Sequence, residues 1–198
     1  MTNPTIEFYK KNNAKLAEQY NSVSFESVHK EWIEFIPDSG LILDIGAGSG
    51  RDALWFSNHG FQVIAVEPIA EFSEQFIVSN PNSKIKWVID TLPKLEKLTS
   101  YHSQVSLILL SAVWMHLTIE ERIVSFETLT KLNKTGGRLI ISLRHGKSPD
   151  ERVMYSVSVK EIEMLASQFQ YQIKSTQNSD DELKRSGLYW ETVVLEKC

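Results

Sequence analysis

The segment LILDI at 41–45 runs directly into Gly46-Ala47-Gly48-Ser49-Gly50, and Arg51 follows at once. Four apolar residues interrupted only by Asp44 read as a buried strand. Positions 51–59, with Ala53, Leu54, Trp55 and Phe56 near their packed side, read as a helix. Three glycines between a strand and a helix permit positive φ and close approach of a ligand to the backbone. The unpaired N–H groups of the helix start face the same point. A chain built around such a joint folds as layers of helix on sheet.

The same alternation repeats along the chain. FQVIAVE (61–67) is a second strand, 69–79 a helix, and KIKWVI (84–89) a third strand ending at Asp90, before a loop with Pro93. VSLILL (105–110) is the fourth strand, and Ile119, Ile123, Phe126, Leu129 and Leu132 mark one face of the helix after it. Gly136–Gly137 turns the chain into a fifth strand, RLIISL (138–143), followed by a loop over 144–157. Ser158 to Glu161 reads as a capping box for a helix carrying Ile162, Leu165, Ala166 and Phe169. Strands at 170–176 and 188–196 end the series, with a charged loop between them.

Continuous apolar strands with long crossovers imply a parallel sheet covered on both faces. The last two strands, joined only by a loop, are expected to pair antiparallel. Ahead of the first strand lie a weak helix over 5–20 and a second from Ser24 to Ile36, with Val28, Trp32, Phe35 and Ile36 at helical spacing before Pro37 and Gly40. These two either lie over the mouth of a site on the sheet or cover one of its edges.

Composition narrows the function. The chain has 198 residues, Lys+Arg 21 against Asp+Glu 25, and a net charge of -4. That balance speaks against a strongly basic nucleic-acid coat. Its one cysteine, Cys198, excludes an internal disulfide framework and an all-cysteine metal site. A reducing, cytoplasmic setting is expected. MTNPTIEFYKKNNAK has no apolar signal core, and the run from Val105 to Leu117 is too short and interrupted to span a bilayer.

Three ligand classes compete for the glycine turn. No Lys follows Gly50, so the phosphate loop of nucleoside-triphosphate enzymes is disfavoured. In a dinucleotide fingerprint the last glycine lets helix and strand pack closely. Arg51 stands in its place, against NAD or FAD.

The third class is S-adenosylmethionine (SAM). LDIGAGSG, an acidic end to the second strand at Glu67, Asp90 after the third, LILLSAVWMHL at 107–117 and GGRLIISL together resemble the class I SAM-dependent methyltransferases over roughly residues 40–196. The resemblance implies a single Rossmann-like three-layer α/β sandwich. Its seven-stranded, mostly parallel sheet would have the order 3-2-1-4-5-7-6 and an antiparallel last strand. Residues 1–38 would form a helical lid or cap of the same domain, and 39–198 the SAM-binding part.

The resemblance also assigns candidates, each beside a plainer reading. Glu67 would accept from both ribose hydroxyls, or is a strand-end carboxylate, with Pro68 setting the chain direction after it. Asp90 would approach the adenine amino group, with Thr91 beside it and Leu92 either flanking the ring or in the core. Asp44 holds the methionine end or braces the turn of Gly46, Ala47, Gly48 and Gly50. Arg51 would face the methionine carboxylate, and Asp52 suits a helix's first turn without any ligand. Ser111 and Ala112 would lie near the methionine moiety. Trp114 and Met115 shape the pocket or pack under the next helix. Tyr20 is the cofactor contact expected of the leading segment, with His29 and Trp32 also placed to close over the site.

For catalysis the candidates are His116, as a base or a structural brace, and Arg144 and His145 after the fifth strand, where Lys147 also lies. No metal site is expected.

The acceptor is less legible. SAVWMH differs from the Asn/Asp-Pro-Pro-Tyr/Phe tetrad of amino methylation on DNA bases. There is no internal cysteine for cytosine-C5 chemistry, no cysteine cluster for arsenic and no evident carboxylate trio for magnesium. The expectation is in-line methyl transfer to an O or N nucleophile of a small molecule, by a monomer or homodimer, without nucleic acid or membrane partners. The alternatives are a tRNA or protein methyltransferase, or a non-catalytic SAM-binding protein.

Overall fold

The computed structural model describes residues 4–198, so the first three positions of the expected 1–38 cap lie outside the described residues. The chain opens with helices α1 (Pro4–Asn21) and α2 (Phe25–His29). Then follow β1 (Leu41–Ile45), α3 (Arg51–Asn58), β2 (Gln62–Val66), α4 (Ala70–Ser79) and β3 (Lys86–Val88). β4 (Val105–Leu110), α5 (Ile119–Leu132), β5 (Asn133–His145), α6 (Val159–Gln168), β6 (Tyr171–Asp180) and β7 (Tyr189–Lys197) complete the order. The seven strands form one sheet ordered β3-β2-β1-β4-β5-β7-β6. β7 runs antiparallel to both neighbours and the other pairings are parallel. This is the Rossmann-like methyltransferase topology that the sequence led us to expect.

Period-two alternation sorts the strand side chains into two cores. Ile42, Val63, Leu107, Leu109 and Ile140 pack with Phe25, Trp32 and Phe56 on the face covered by α2 and α3. Leu43, Ile64, Ile108, Leu110 and Ile141 pack with Phe126, Leu129, Ile162 and Leu165 on the face covered by α5 and α6. A third cluster joins α1 to α4 through Leu16, Ile69 and Phe72. That contact brings α1 beside the carboxyl ends of β1, β2 and β4, the edge where open α/β sheets bind ligands.

Local departures from the expected elements have tertiary causes. The helix expected from Ser24 to Ile36 is broken: α2 stops at His29 and a 3-10 turn covers Ile33–Phe35. Trp32, only 1% exposed, turns into the core against Phe25, and His29 is held by Asp52, so packing overrides helical spacing here. Gly136 and Gly137 do not end an element. They sit in an irregular stretch of β5, where the pairing with β4 shifts between Val105 and Leu107. Ser158 caps α6 as expected, accepting from the Glu161 N–H. The Glu161 side chain does not return the bond but accepts from Arg122 at 2.7 Å.

Arg122 is 1% exposed and also donates to the carbonyls of Trp114 (3.2 Å) and Ser156 (2.9 Å). One guanidinium thus ties α5 to α6 and to the segments either side of the site. Removing one member of a buried ion pair costs about 3–5 kcal/mol. Arg122→Ala is expected to lose about 3 kcal/mol, and Glu161→Gln a comparable amount because it leaves the buried guanidinium without a countercharge, as read from urea midpoints of the two variants.

Candidate functional site

The glycine turn is built by backbone bonds. Gly46 and Ala47 N–H both donate to the Val66 carbonyl, at 2.8 and 3.1 Å, which holds the end of β1 beside the end of β2. Gly46, Gly48 and Gly50 have φ of 70°, 52° and 78°. Their surroundings differ. A Cβ on Gly50 would come within 2.9 Å of the Phe76 and Trp87 rings, so Gly50 serves close packing and faces away from the main cavity. A Cβ on Gly48 would meet nothing nearer than the Tyr20 ring at 3.7 Å, leaving an open cradle.

Glu67 closes that cradle. Its Oε2 accepts from Gly48 N–H at 2.9 Å and its Oε1 from Ile69 N–H at 3.1 Å. Each oxygen keeps a second acceptor site. The carboxylate is 4% exposed, and burial pushes its pKa up to about 7 against the pull of the two N–H groups. Asp44, 1% exposed, is driven well above the carboxylate range, by burial first and then by the charge of Asp52. Among the described residues its Oδ2 has no hydrogen-bond partner. That buried acceptor at the turn and the space over Gly48 suit the methionine end of SAM, the acceptor its ammonium and the turn its carboxylate.

Asp52 does more than sit in a helix's first turn. It accepts from Arg51 at 2.7 and 3.0 Å and contacts His29 Nε2 at 2.9 Å. Burial disfavours its charge, but His29 and then Arg51 outweigh this and hold the carboxyl below its usual range. The Arg51 fork is therefore clamped to Asp52 and, at 3.3 Å, to the Tyr20 carbonyl, rather than standing free.

A cavity of about 330 Å³ opens above the turn. Tyr20, Asp44, Gly46, Ala47, Gly48, Arg51, Glu67, Pro68, Asp90, Thr91, Leu92, Ser111 and Ala112 all line it. Asp90 does so while both its oxygens accept from the backbone of its own loop, Thr91 and Lys97, at 2.8 Å each. Leu92 belongs to the core and to the wall at once. Of the catalytic candidates, His116 and Arg144 line the cavity and His145 does not. Side chains alternate along β5, so His145 points away from Arg144. It stacks on Tyr189 and pairs with Glu191 at 2.7 Å. Met115 and His29 reach the cavity, whereas Trp32, Trp114 and Lys147 do not.

Sequence reasoning missed much of the far wall. Tyr9 and Ile6 come from α1, Arg152 and Met154 from the loop after β5, and Asp181, Arg185 and Trp190 from the β6–β7 hairpin. No motif marks them, because they converge from segments up to about 180 residues apart. Arg152 is paired with Asp150 at 2.6 Å and Arg185 with Asp181 at 2.5 Å. Among the described residues, buried Arg144 donates only to the Gly146 and Lys147 carbonyls and to Met154 sulfur. Burial, then Arg185 and Arg152, lowers its pKa. Among the described residues, this end of the cavity therefore holds one guanidinium without a carboxylate partner.

The glycines separate in their expected effects. Left-handed backbone costs a non-glycine residue about 1–2 kcal/mol. Gly48→Ala is expected to lose only about that much stability. Gly50→Ala is expected to lose clearly more, because Phe76 and Trp87 must also move. Thermal unfolding of both variants measures the difference.

Comparisons with known proteins agree with this fold. The family model described as "Tellurite resistance protein TehB" matches residues 8–186. Among solved structures, TehB from Haemophilus influenzae superposes with a TM-score of 0.72 at 15% identity, over 92% of this chain and 65% of that one. A TehB-like SAM-dependent methyltransferase from Corynebacterium glutamicum gives 0.66 at 18% identity, over 98% of both chains. The 1,6-didemethyltoxoflavin-N1-methyltransferase of Burkholderia thailandensis, with 1,6-didemethyltoxoflavin and S-adenosylhomocysteine bound, gives 0.62 at 16%, over 94% of this chain and 89% of that one. No curated protein matches the sequence. With its sheet order and its glycine turn beside Glu67, the chain belongs to the TehB family and has the fold of the SAM-dependent methyltransferases it superposes on.

Proposed function

We propose that this enzyme transfers the methyl group of SAM to an O or N nucleophile of a small molecule held at the Arg144 end of the cavity. The observation that carries the reading is the single cavity joining the Gly48–Glu67 cradle to His116 and Arg144. SAM supplies a methyl group already activated on a sulfonium. The chain's own residues bind, orient and exclude water. Glu67 would accept from the ribose hydroxyls through its free lone pairs, Asp90 would approach the adenine amino group beside Leu92, and Asp44 Oδ2 would meet the methionine ammonium. Ser111 and Ala112 would line the path to the methyl group. Residues 1–38 act in this reading as a lid whose Tyr20 ring lies over Gly48.

His116 is the base in this reading, while Arg144 orients an acceptor carrying negative charge. His145 has no part in it. Enclosure by α1 and the β6–β7 hairpin favours a small acceptor over tRNA or a protein chain. A second reading has one specific support: the matching family model is described by tellurite resistance, and an unpaired guanidinium suits an oxyanion such as tellurite.

The Glu67 assignment is testable by pH. Only the ionised carboxylate accepts from both ribose hydroxyls, and in the ligand-free protein Glu67 titrates near 7. S-adenosylhomocysteine affinity should therefore rise with pH through about 7 and level off above it. For stability the sign is opposite. The folded state holds this proton more tightly than the unfolded chain does, so Glu67's contribution is full at low pH and is lost as pH rises to about 7. Calorimetric titrations from pH 5.5 to 8.5 should show the affinity trend in the wild type. Glu67→Gln should bind at least tenfold more weakly at pH 8, with the trend gone.

The acceptor is found by incubating the protein with methyl-labelled SAM and fractionated extract, and with tellurite in parallel, then identifying the labelled product by mass. A labelled small molecule with a new O–CH₃ or N–CH₃ group is the expected result. Label on macromolecules alone, or on tellurium alone, would remove this proposal.

A further inference from the structure

At the acceptor end three elements meet on one oxygen. Tyr9 OH, on α1, lies 3.2 Å from His116 Nε2 and accepts from Arg152 NH1 at 3.1 Å. The hydroxyl of Tyr20 faces the same atom. His116 Nδ1 lies 3.0 Å from the Val153 carbonyl. A carbonyl can only accept, so Nδ1 carries the hydrogen of the neutral ring and Nε2 carries the lone pair. It follows that Tyr9 donates its proton to Nε2. The direction of the chain is thus set by one backbone oxygen.

The charges agree with the direction. His116 is faced by Tyr9 from α1, by Arg144 from β5 and by Asp150 and Arg152 from the loop after it. Burial, and then the two guanidinium groups, keep its pKa below the usual imidazole value, so the ring is neutral and able to accept near pH 7. Arg152 donates to the Tyr9 oxygen and lies over its ring, 5.3 Å from the centroid, where it stabilises negative charge developing on that oxygen.

We propose that Tyr9 is a catalytic residue of this enzyme: its phenol takes the proton of the acceptor while its own proton passes to His116 Nε2. The inference deepens the O or N acceptor reading above and rests on it. As the acceptor lone pair forms its bond to the methyl carbon, the carbon–sulfur bond breaks and its electron pair stays on sulfur. The acceptor takes the place of the Tyr20 hydroxyl on the Tyr9 oxygen, its proton moves to the lone pair so freed, and the Tyr9 proton passes to Nε2. One imidazolium results, which returns its proton to solvent before the next turnover. His116 is in this scheme the base behind Tyr9.

Two measurements on the full chain decide it. The first needs no turnover: ¹⁵N NMR of His116 in the protein with S-adenosylhomocysteine should show the Nδ1–H tautomer. In Tyr9→Phe, which keeps the ring over Arg152, the midpoint of the His116 titration should rise, because the hydrogen bond favouring the neutral ring is gone. An Nε2–H tautomer, or an unmoved midpoint, overturns the relay. The second is labelled methyl transfer to the active extract fraction. Wild-type kcat should rise with pH through the His116 midpoint to a plateau. Tyr9→Phe should lose about 100-fold in kcat, with S-adenosylhomocysteine affinity within twofold of wild type. A loss carried by KM or cofactor affinity alone would make Tyr9 a latch for α1 and overturn the proposal. Equal rates in both proteins overturn the relay alone. Label found on tellurium, which attacks through its own lone pair and has no proton to give up, overturns the acceptor reading and the relay together.

Discussion

The Glu67 carboxylate, receiving the N–H groups of Gly48 and Ile69, is the contact around which the site is organised. It joins the end of β2 to the glycine turn after β1 and to the start of α4. Because it is buried, it holds its charge weakly, and because each oxygen is only half used, it still has capacity to accept. A carboxylate satisfied only by backbone keeps its orientation at little side-chain cost and stands ready for donors from a ligand.

Around this contact the structure divides labour between two ends of one cavity. At the turn, acidic groups are buried in excess. Asp44 and Glu67 are both pushed toward the neutral form, whereas Asp52 is kept charged by His29 and Arg51. At the other end guanidinium groups gather, and Arg144, which among the described residues has no carboxylate partner, lies on the wall with His116. A cationic cofactor and an anionic or polar acceptor would find complementary fields there.

The turn, the strand-end acids and the order of elements were legible because each is encoded within a short stretch. Apolar runs announced β1, β2 and β4, glycine bounds β1 and β5, and Glu67 and Asp90 followed from where the β2 and β3 segments stop. Errors arose where a long-range contact decided the local conformation. Trp32 drops into the core and breaks an apparent helix. Glu161 leaves its cap to bind Arg122, and Gly50 faces Phe76 and Trp87 where a ligand was expected. His145 is one residue from Arg144, but alternation along β5 puts the two on opposite faces.

By itself, then, the sequence determined the α/β alternation and the residues of the cradle, since glycine conformational freedom and strand-end position are local properties, and SAM was what the resemblance implied. It did not determine the acceptor end. Tyr9, His116, Arg152 and the hairpin residues Asp181 and Arg185 meet only when α1 docks on α4 and the last two strands fold back beside β5. Alternation along β5 turns His145 away from the cavity, and which nitrogen of His116 holds the lone pair depends on a backbone carbonyl at Val153. A distance in space, not a spacing in the chain, decides it.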